Sequence, residues 1–510
     1  MGACRSLRAA TISVPAGTAP QRIYPIGPMT VLAHAKAALG ADIEVHAFDF
    51  SNGDVDDLLD HVIAWRPDVI GFGIYTHQLP VILDLADRLR AALPEAILVA
   101  GGVHVTLTWP DCLTRWGTQF DYVIPGDGEG PFTALMEGLA RGERPPHLTV
   151  PGTAHRTESG GMVRCAGAAP VATQFHASPL DVPLTHRNEE LVFTDRHSGE
   201  QRPAVAMVSS RGCPLKCSFC AVATMPGQWR ATPNGTLLDW LRDSYAAKPF
   251  RHIYFLDANF FAVPRRVREL AAALTQLFPG VTWSASGTAD RIVRMADDLR
   301  YLRECGLRLV EVGFDGGSDR QLKFLNKRAT VADNLAAAAL LRSHAIAIGI
   351  DFIMFHPDQT VEDIRDNLIF LRDAGLILDE ASAHYFNTLE LYPATPLRTE
   401  FETRRGHPFD PDAIPSSEDL FRDASVKNIH KLFCSTFGRT FLPRLSAMKD
   451  LLNERLNAVD HLSGHDLRVL RLKKVWLTHV PFKVLWALCQ FPEAETLEEA
   501  APWLARAVPA

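Results

Sequence analysis

Between Ala9 and Gly130 short apolar runs alternate with amphipathic stretches, and this alternation constrains the fold more than any other feature. AATISV, IEVHAFDF, DVIGFGIY, AILVAGG and FDYVIPGDGEG read as strands, and PMTVLAHAKAALGA, DVDDLLDHVIAWRP and LPVILDLADRLRAALP as helices between them. Strands alternating with helices of this length predict an α/β fold built on a parallel, doubly wound sheet. Ligands on such sheets bind at the carboxyl ends of the strands. Gly101–Gly102 and Gly126 with Gly128 fall there, where a missing Cβ permits tight turns or close approach of a ligand.

A chain of 510 residues exceeds what one hydrophobic core supports, so several domains are expected. The first covers 1–145. A stretch rich in Pro, Gly, Ser and Thr over 146–202 reads as a linker or irregular subdomain. A second strand–helix series follows over 203–400, with strands AVAMVSS, HIYFLDANF, VTWSASG, RLVEVGF, AIGIDFIMF and SAHYFNTLELYP. Six such units predict a partial (β/α)6 barrel with its site at the carboxyl mouth of the strands. Amphipathic helices fill 401–510 and are expected to cap that mouth, with Trp476, Phe482 and Trp486 read as helix-packing core rather than pocket wall.

Charge and hydropathy exclude several classes. Lys plus Arg number 52 against 59 for Asp plus Glu, a net charge of −7 without basic tails, which argues against nucleic acid as a partner. No apolar run is long enough to span a membrane. The leading MGACRSLRAATISVPAG lacks an apolar secretory core. Gly2, Ser6 and Cys4 satisfy a short lipidation pattern, read here as a chance match on the lead into the first strand. Nine cysteines, an odd number without an export signal, point to a reducing cytoplasm rather than a disulfide framework. Cys4, Cys112, Cys165, Cys305, Cys434 and Cys489 are scattered and read as small buried or indifferent residues.

Cys213, Cys217 and Cys220 are different, because CxxxCxxC crowds three thiols into one loop after a strand. Structural zinc needs four ligands, usually in two pairs, and no second CxxC occurs. A redox dithiol would leave Cys213 superfluous. A 4Fe–4S cluster has four iron corners, and three thiolates leave one open for a substrate or cosubstrate.

This motif, with the aromatic Phe219 before its last cysteine, resembles that of the radical S-adenosylmethionine enzymes. FLDANF (Asp257, Asn259), GFDGGSDRQLKFLNK (Asp315 where Glu is usual) and YPATPL (Tyr392 to Leu397) resemble further signatures of that family. FHPDQT, Phe355 to Thr360, departs from the usual GxPGET by losing two glycines. The resemblance implies a 4Fe–4S cluster on the three cysteines. Its open iron would hold S-adenosylmethionine, with Phe219, Asp257 and Asp315 contacting the cosubstrate.

GFGIYTHQ, LVAGGVH and DYVIPGDGEGP resemble the cobalamin-binding Rossmann-like domain often fused to this family. The resemblance places Gly73, Tyr75, Thr76 and His77 around the corrin, and Gly101, Gly102, Gly126 and Glu129 along its nucleotide tail. The loop from Ser13 to Pro28 contains no histidine, unlike the DxHxxG loop of cobalamin mutases and methionine synthases, so no first-loop histidine is expected on cobalt. His77 is the nearby alternative, read as a pocket-wall or hydrogen-bonding residue rather than a ligand.

The two cofactors together imply radical chemistry on an unactivated carbon, with methyl transfer to a small-molecule or natural-product intermediate as the leading expectation. Cyclisation, oxidation or rearrangement without methyl transfer is the first alternative, and a non-catalytic cobalamin or redox sensor the second. A one-electron donor such as flavodoxin or ferredoxin is the expected protein partner.

Overall fold

The computed structural model describes residues 6–14, 25–50, 55–116, 118–145, 148–156, 162–164, 177–186, 191–377, 382–415, 420–457 and 464–499. Gly2, Cys4, Cys165 and most of the loop after the first strand lie outside them. The chain forms two compact units, one of Met1–Ser286, Tyr301–Arg308 and Leu391–Ile414, the other of Gly287–Arg300, Leu309–Glu390 and Pro415–Ala510.

The first unit opens with the expected parallel sheet: β1 (Leu7–Ser13), β2 (Ile43–Asp49), β3 (Val69–Gly73), β4 (Ile97–Gly101) and β5 (Tyr122–Ile124). Helices α1 (Ile26–Leu39), α2 (Val55–Trp65), α3 (Leu79–Ala92), α4 (Val103–Thr108), α5 (Cys112–Arg115) and α6 (Glu129–Ala140) lie between and after the strands. Successive strand residues point to opposite faces, so a sheet covered on both sides reads as continuous apolar runs. Ala10, Ile12, Ile70, Phe72 and Leu98 pack with α2, α3, α4 and α5, whereas Ala9, Val69, Ile97 and Val99 pack with α1 and α6. Asp56 and Asp57 in the first turn of α2 complement the positive end of its dipole.

The stretch expected to be a linker contributes to this sheet. β6 (Ala154–Arg156) and β7 (Met162–Arg164) add antiparallel strands at one edge, and β8 (Leu184–His186) pairs parallel to β2 at the other. The order is β7-β6-β5-β4-β3-β1-β2-β8. Each added strand has only three residues, too short for a periodic signal against the surrounding Pro and Gly.

The second series begins in the same unit with β9 (Val192–Thr194) antiparallel to β10 (Gln201–Met207). A short antiparallel pair follows, β11 (Ser210–Arg211) with β12 (Arg230–Ala231). β13 (His252–Phe255) pairs parallel to both β10 and β14 (Thr282–Thr288). In the second unit β15 (Leu307–Gly313) pairs parallel to β16 (Ala347–Asp351) over Leu309–Gly313. The sixth expected strand is reduced to one bridge, Phe355 to Thr388, after a short 3-10 turn at Ser382–Tyr385. Thr330 with Asp333, and Thr360 with Asp363, form capping boxes that start the two helices flanking β16.

The last segment is helical as expected, through Ala424–His430, a π-helical stretch Lys431–Gly438, Arg439–Asn457 and Gly464–Gln490. Phe482 is buried, whereas Trp476, expected in the helix-packing core, is 57% exposed. Cys112, Cys305 and Cys489 are buried. No helix among the described residues is long and apolar enough to cross a membrane.

His252 on β13 is fully buried and lies flat on Phe193, ring centroids 3.6 Å apart. Its nitrogens meet Thr282 Oγ1 at 2.8 Å and Ser284 Oγ at 3.0 Å. Burial, with Arg202 and Arg308 nearby, pushes its pKa down to about 2, so the folded protein keeps it neutral. Below the unfolded value of about 6.5 the unfolded chain binds the extra proton, and stability falls as pH falls toward the folded value. This one group should account for about 1.4 kcal/mol of lost stability per pH unit below about 6.5. Urea unfolding of His252→Gln between about pH 7 and about pH 5 should show a shallower loss than the wild type, by close to one proton.

Candidate functional site

The carboxyl ends of β1, β3, β4 and β5 surround a cavity of about 330 Å³ on the α1 and α6 side of the sheet. Thr11, Gly71, Gly73, Gly101 and Gly102 line its strand side, Phe132 lines it from α6, and the turn Gly126–Glu129 forms another wall. Val208, Arg211 and Met225, from the segment that carries the three cysteines, complete it. Six of the eight residues expected around a corrinoid, Gly73, Tyr75, Gly101, Gly102, Gly126 and Glu129, therefore converge on one cavity. Thr76 and His77 do not line it. Thr76 is turned to His104, and His77 meets the ring of Tyr392 edge-on at 6.1 Å.

The glycines differ in what requires them. Gly102 has φ +92°, and a Cβ there would lie 2.6 Å from the backbone nitrogen of Ile74. The expectation that it makes room for a ligand is thus refined: the close approach is between the ends of β3 and β4, tied by Ile74 N–H to Gly101 O at 2.9 Å. A Cβ on Gly101 would meet only ordinary contacts, the nearest Ile124 O at 3.5 Å. Gly126 has φ +89° and open space beside it, so turn conformation alone demands glycine.

The cysteine loop leaves β11 and returns to β12. Cys217 is buried, while Cys213 and Cys220 are partly accessible, and Cys220 N–H donates to Cys217 O at 3.3 Å. Ser218 O accepts from Leu397 N–H at 3.0 Å, which draws the YPATPL segment against the loop. Among the described residues no three His, Cys, Asp or Glu side chains gather to hold a single ion. A cubane takes each thiolate at a separate iron corner, and three cysteines in one loop supply the soft donors it needs.

Asp257, expected at the cosubstrate, is 2% exposed and engaged with the start of this loop. It accepts from Ser209 N–H at 3.0 Å, from Ser209 Oγ at 2.8 Å and from Ser210 Oγ. Burial holds its carboxyl above the ordinary range in spite of these donors. Asp315 lies in the second unit at φ +59°, ion-paired with the buried Lys327. Beside it Asp351, which solvent reaches although strand neighbours crowd it, is pushed up to about 7 by burial and by Glu311 and Asp315.

Three further groups escaped sequence reasoning. Asp127 accepts from Arg211 Nη1 at 3.0 Å and also pairs with Arg230, and Arg211 pairs in addition with Glu129. Asp412 accepts from Arg115 Nε at 2.9 Å and Nη2 at 2.7 Å, from Trp116 Nε1 at 3.0 Å and from His104 Nε2 at 3.2 Å. These partners hold Asp412 far below the ordinary carboxylate range despite its burial. Each group joins residues far apart in sequence, where no local spacing signals a pair. The third, Asp351, is an acidic strand end that carries no recognisable spacing.

Residues 207–371 match the family model of the Radical SAM superfamily, and residues 12–136 that of the B12 binding domain. An uncharacterized methyltransferase of Pyrococcus horikoshii is 24% identical over 374 residues, covering 73% of this chain and 78% of that protein. The anaerobic magnesium-protoporphyrin IX monomethyl ester cyclase of Synechocystis sp. is 28% identical over 330 residues, covering 62% of each. The solved structure of the cobalamin-dependent S-adenosylmethionine radical enzyme OxsB, with aqua-cobalamin and S-adenosylmethionine bound, shares the fold. Its TM-score is 0.73 at 16% identity, over 98% of this chain and 75% of that one.

Gly102→Ala should lower stability by roughly 1–3 kcal/mol, because φ is positive and the obstructing atom is backbone. Gly101→Ala should stay within about 1 kcal/mol of the wild type. Urea denaturation of the two variants side by side checks the contrast.

Proposed function

Because the chain belongs to the radical SAM superfamily and carries a B12-binding domain, we propose that it is a cobalamin-dependent methyltransferase acting on an unactivated carbon of a small molecule. One observation carries this reading: the cavity at the strand ends and the cysteine loop share a wall, made by Val208, Arg211 and Met225. Residues 1–145 would bind the corrinoid, 203–400 the cluster and S-adenosylmethionine, and 401–510 would cover the substrate, with 146–202 joining the first two.

The cavity at the strand ends would take the nucleotide tail of cobalamin, with the corrin ring at its mouth. Gly101, Gly102, Gly126 and Glu129 would hold that tail, leaving Gly73 and Tyr75 beneath the ring. Tyr75 is half exposed at the cavity and within reach of a ligand's edge. Thr76 and His77 would act from outside the cavity wall, Thr76 through its bond to His104.

Cys213, Cys217 and Cys220 would hold the cluster, and Phe219, between two of them in sequence, would contact the cosubstrate. Asp257 is assigned a positioning role, since its oxygens already hold Ser209 and Ser210. Asp315, with its charge offset by Lys327, would meet a hydroxyl or amino group of the cosubstrate. When bound, the cluster supplies a single electron, S-adenosylmethionine a hydrogen-abstracting radical, and cobalamin a methyl group. The electron would come from flavodoxin or ferredoxin in the cytoplasm.

Similarity to the magnesium-protoporphyrin cyclase supports a second reading, radical cyclisation or oxidation without methyl transfer. Anaerobic reconstitution with reductant and S-adenosylmethionine distinguishes the two. Methyl transfer should yield 5′-deoxyadenosine together with S-adenosylhomocysteine, and a product heavier by one CH2 unit. 5′-Deoxyadenosine without S-adenosylhomocysteine would favour the second reading. A regulatory cluster would produce neither. Replacing Cys213, Cys217 and Cys220 with Ala should abolish the iron–sulfur absorbance and both products while cobalamin binding survives.

A further inference from the structure

The cysteine loop begins at Arg211 and ends at Arg230, residues that face each other in the β11–β12 register. Both arginines reach the same carboxylate: Asp127 Oδ1 accepts from Arg211 Nη1 at 3.0 Å, and Asp127 Oδ2 pairs with Arg230 Nη2. Arg211 Nη2 pairs with Glu129 Oε1. One turn of the first sheet thus clamps both ends of the loop.

Glu129 is 1% exposed, and its second oxygen, Oε2, has no hydrogen-bond partner although it belongs to a residue lining the cavity. Burial would raise this carboxyl, but the Arg211 guanidinium outweighs that and keeps it ionised. A buried carboxylate oxygen without a donor is unfavourable, so a ligand N–H or O–H at that point would be held firmly.

We propose that Arg211 is a positioning residue that couples the two cofactor sites, the cavity ligand completing Glu129 and thereby fixing the start of the cysteine loop. This rests on the cavity being the corrinoid site. Coupling free energies are reciprocal, so cluster assembly tightens corrinoid binding by the factor through which corrinoid stabilises the assembled loop. Such couplings are typically about 5-fold or more.

The test is an anaerobic absorbance titration of the full chain with hydroxocobalamin, before and after reconstitution with iron and sulfide. In the wild type the dissociation constant should fall about 5-fold or more on reconstitution. In Arg211→Gln that ratio should collapse toward one although the cluster still assembles, and Arg211→Lys should restore part of it. A wild-type ratio near one, or an Arg211→Gln ratio equal to that of the wild type, overturns the coupling. Should Arg211→Gln fail to fold, hydrogen exchange across 212–229 in the cluster-free wild type decides: cobalamin should slow it, and unchanged exchange overturns the proposal. A wild type that binds no cobalamin in either state would instead remove the functional reading, and the coupling with it.

Discussion

Asp127 is the residue on which the site depends, because one carboxylate meets the arginines at both ends of the cysteine loop. A loop held at both ends has fewer conformations to lose when a cluster forms within it. Asp257 fixes the approach to the same loop through Ser209 and Ser210, and Leu397 ties its middle. The carboxylates are largely withdrawn from water, so each needs its cationic or hydroxyl partners, and removing one partner strands the other.

The parallel sheet places these groups where they can act. β1, β3, β4 and β5 end at one level, and the close approach of Gly102 to Ile74 sets the spacing of two of those ends. Asp412 draws a segment from the far end of the first unit's sequence onto α4 and α5 through Arg115, Trp116 and His104. His104 in turn orients the Thr76 hydroxyl at 3.0 Å, beside the strand end where Tyr75 meets the cavity.

Much of this was legible in the sequence for a physical reason: alternation with a period of two or 3.6 residues is local, and so is CxxxCxxC. The sheet from β1 to β5, the parallel strands β10 and β13 to β16, and the placing of Gly101, Gly102 and Gly126 at a strand-end site followed from such local signals, whereas Glu129 came only with the family resemblance. The ion pairs did not, since Arg211 and Glu129 are 82 positions apart and each charged residue alone reads as solvated surface. The strands hidden in the presumed linker, at Ala154–Arg156 and Leu184–His186, draw their order from the sheet edges they join rather than from their own pattern. Asp257 was legible as important, but its use in bracing the loop depends on Ser209 and Ser210 being brought beside it, 48 and 47 positions away.

The central claim is that one chain holds a corrinoid and an iron–sulfur cluster as neighbours across the wall made by Val208, Arg211 and Met225. Pulsed electron paramagnetic resonance on protein carrying both cob(II)alamin and the reduced cluster tests it most directly. The account predicts a dipolar interaction between the two spins, absent when either cofactor is omitted. Two signals that superimpose on those of the singly loaded proteins, with no interaction between them, would contradict it.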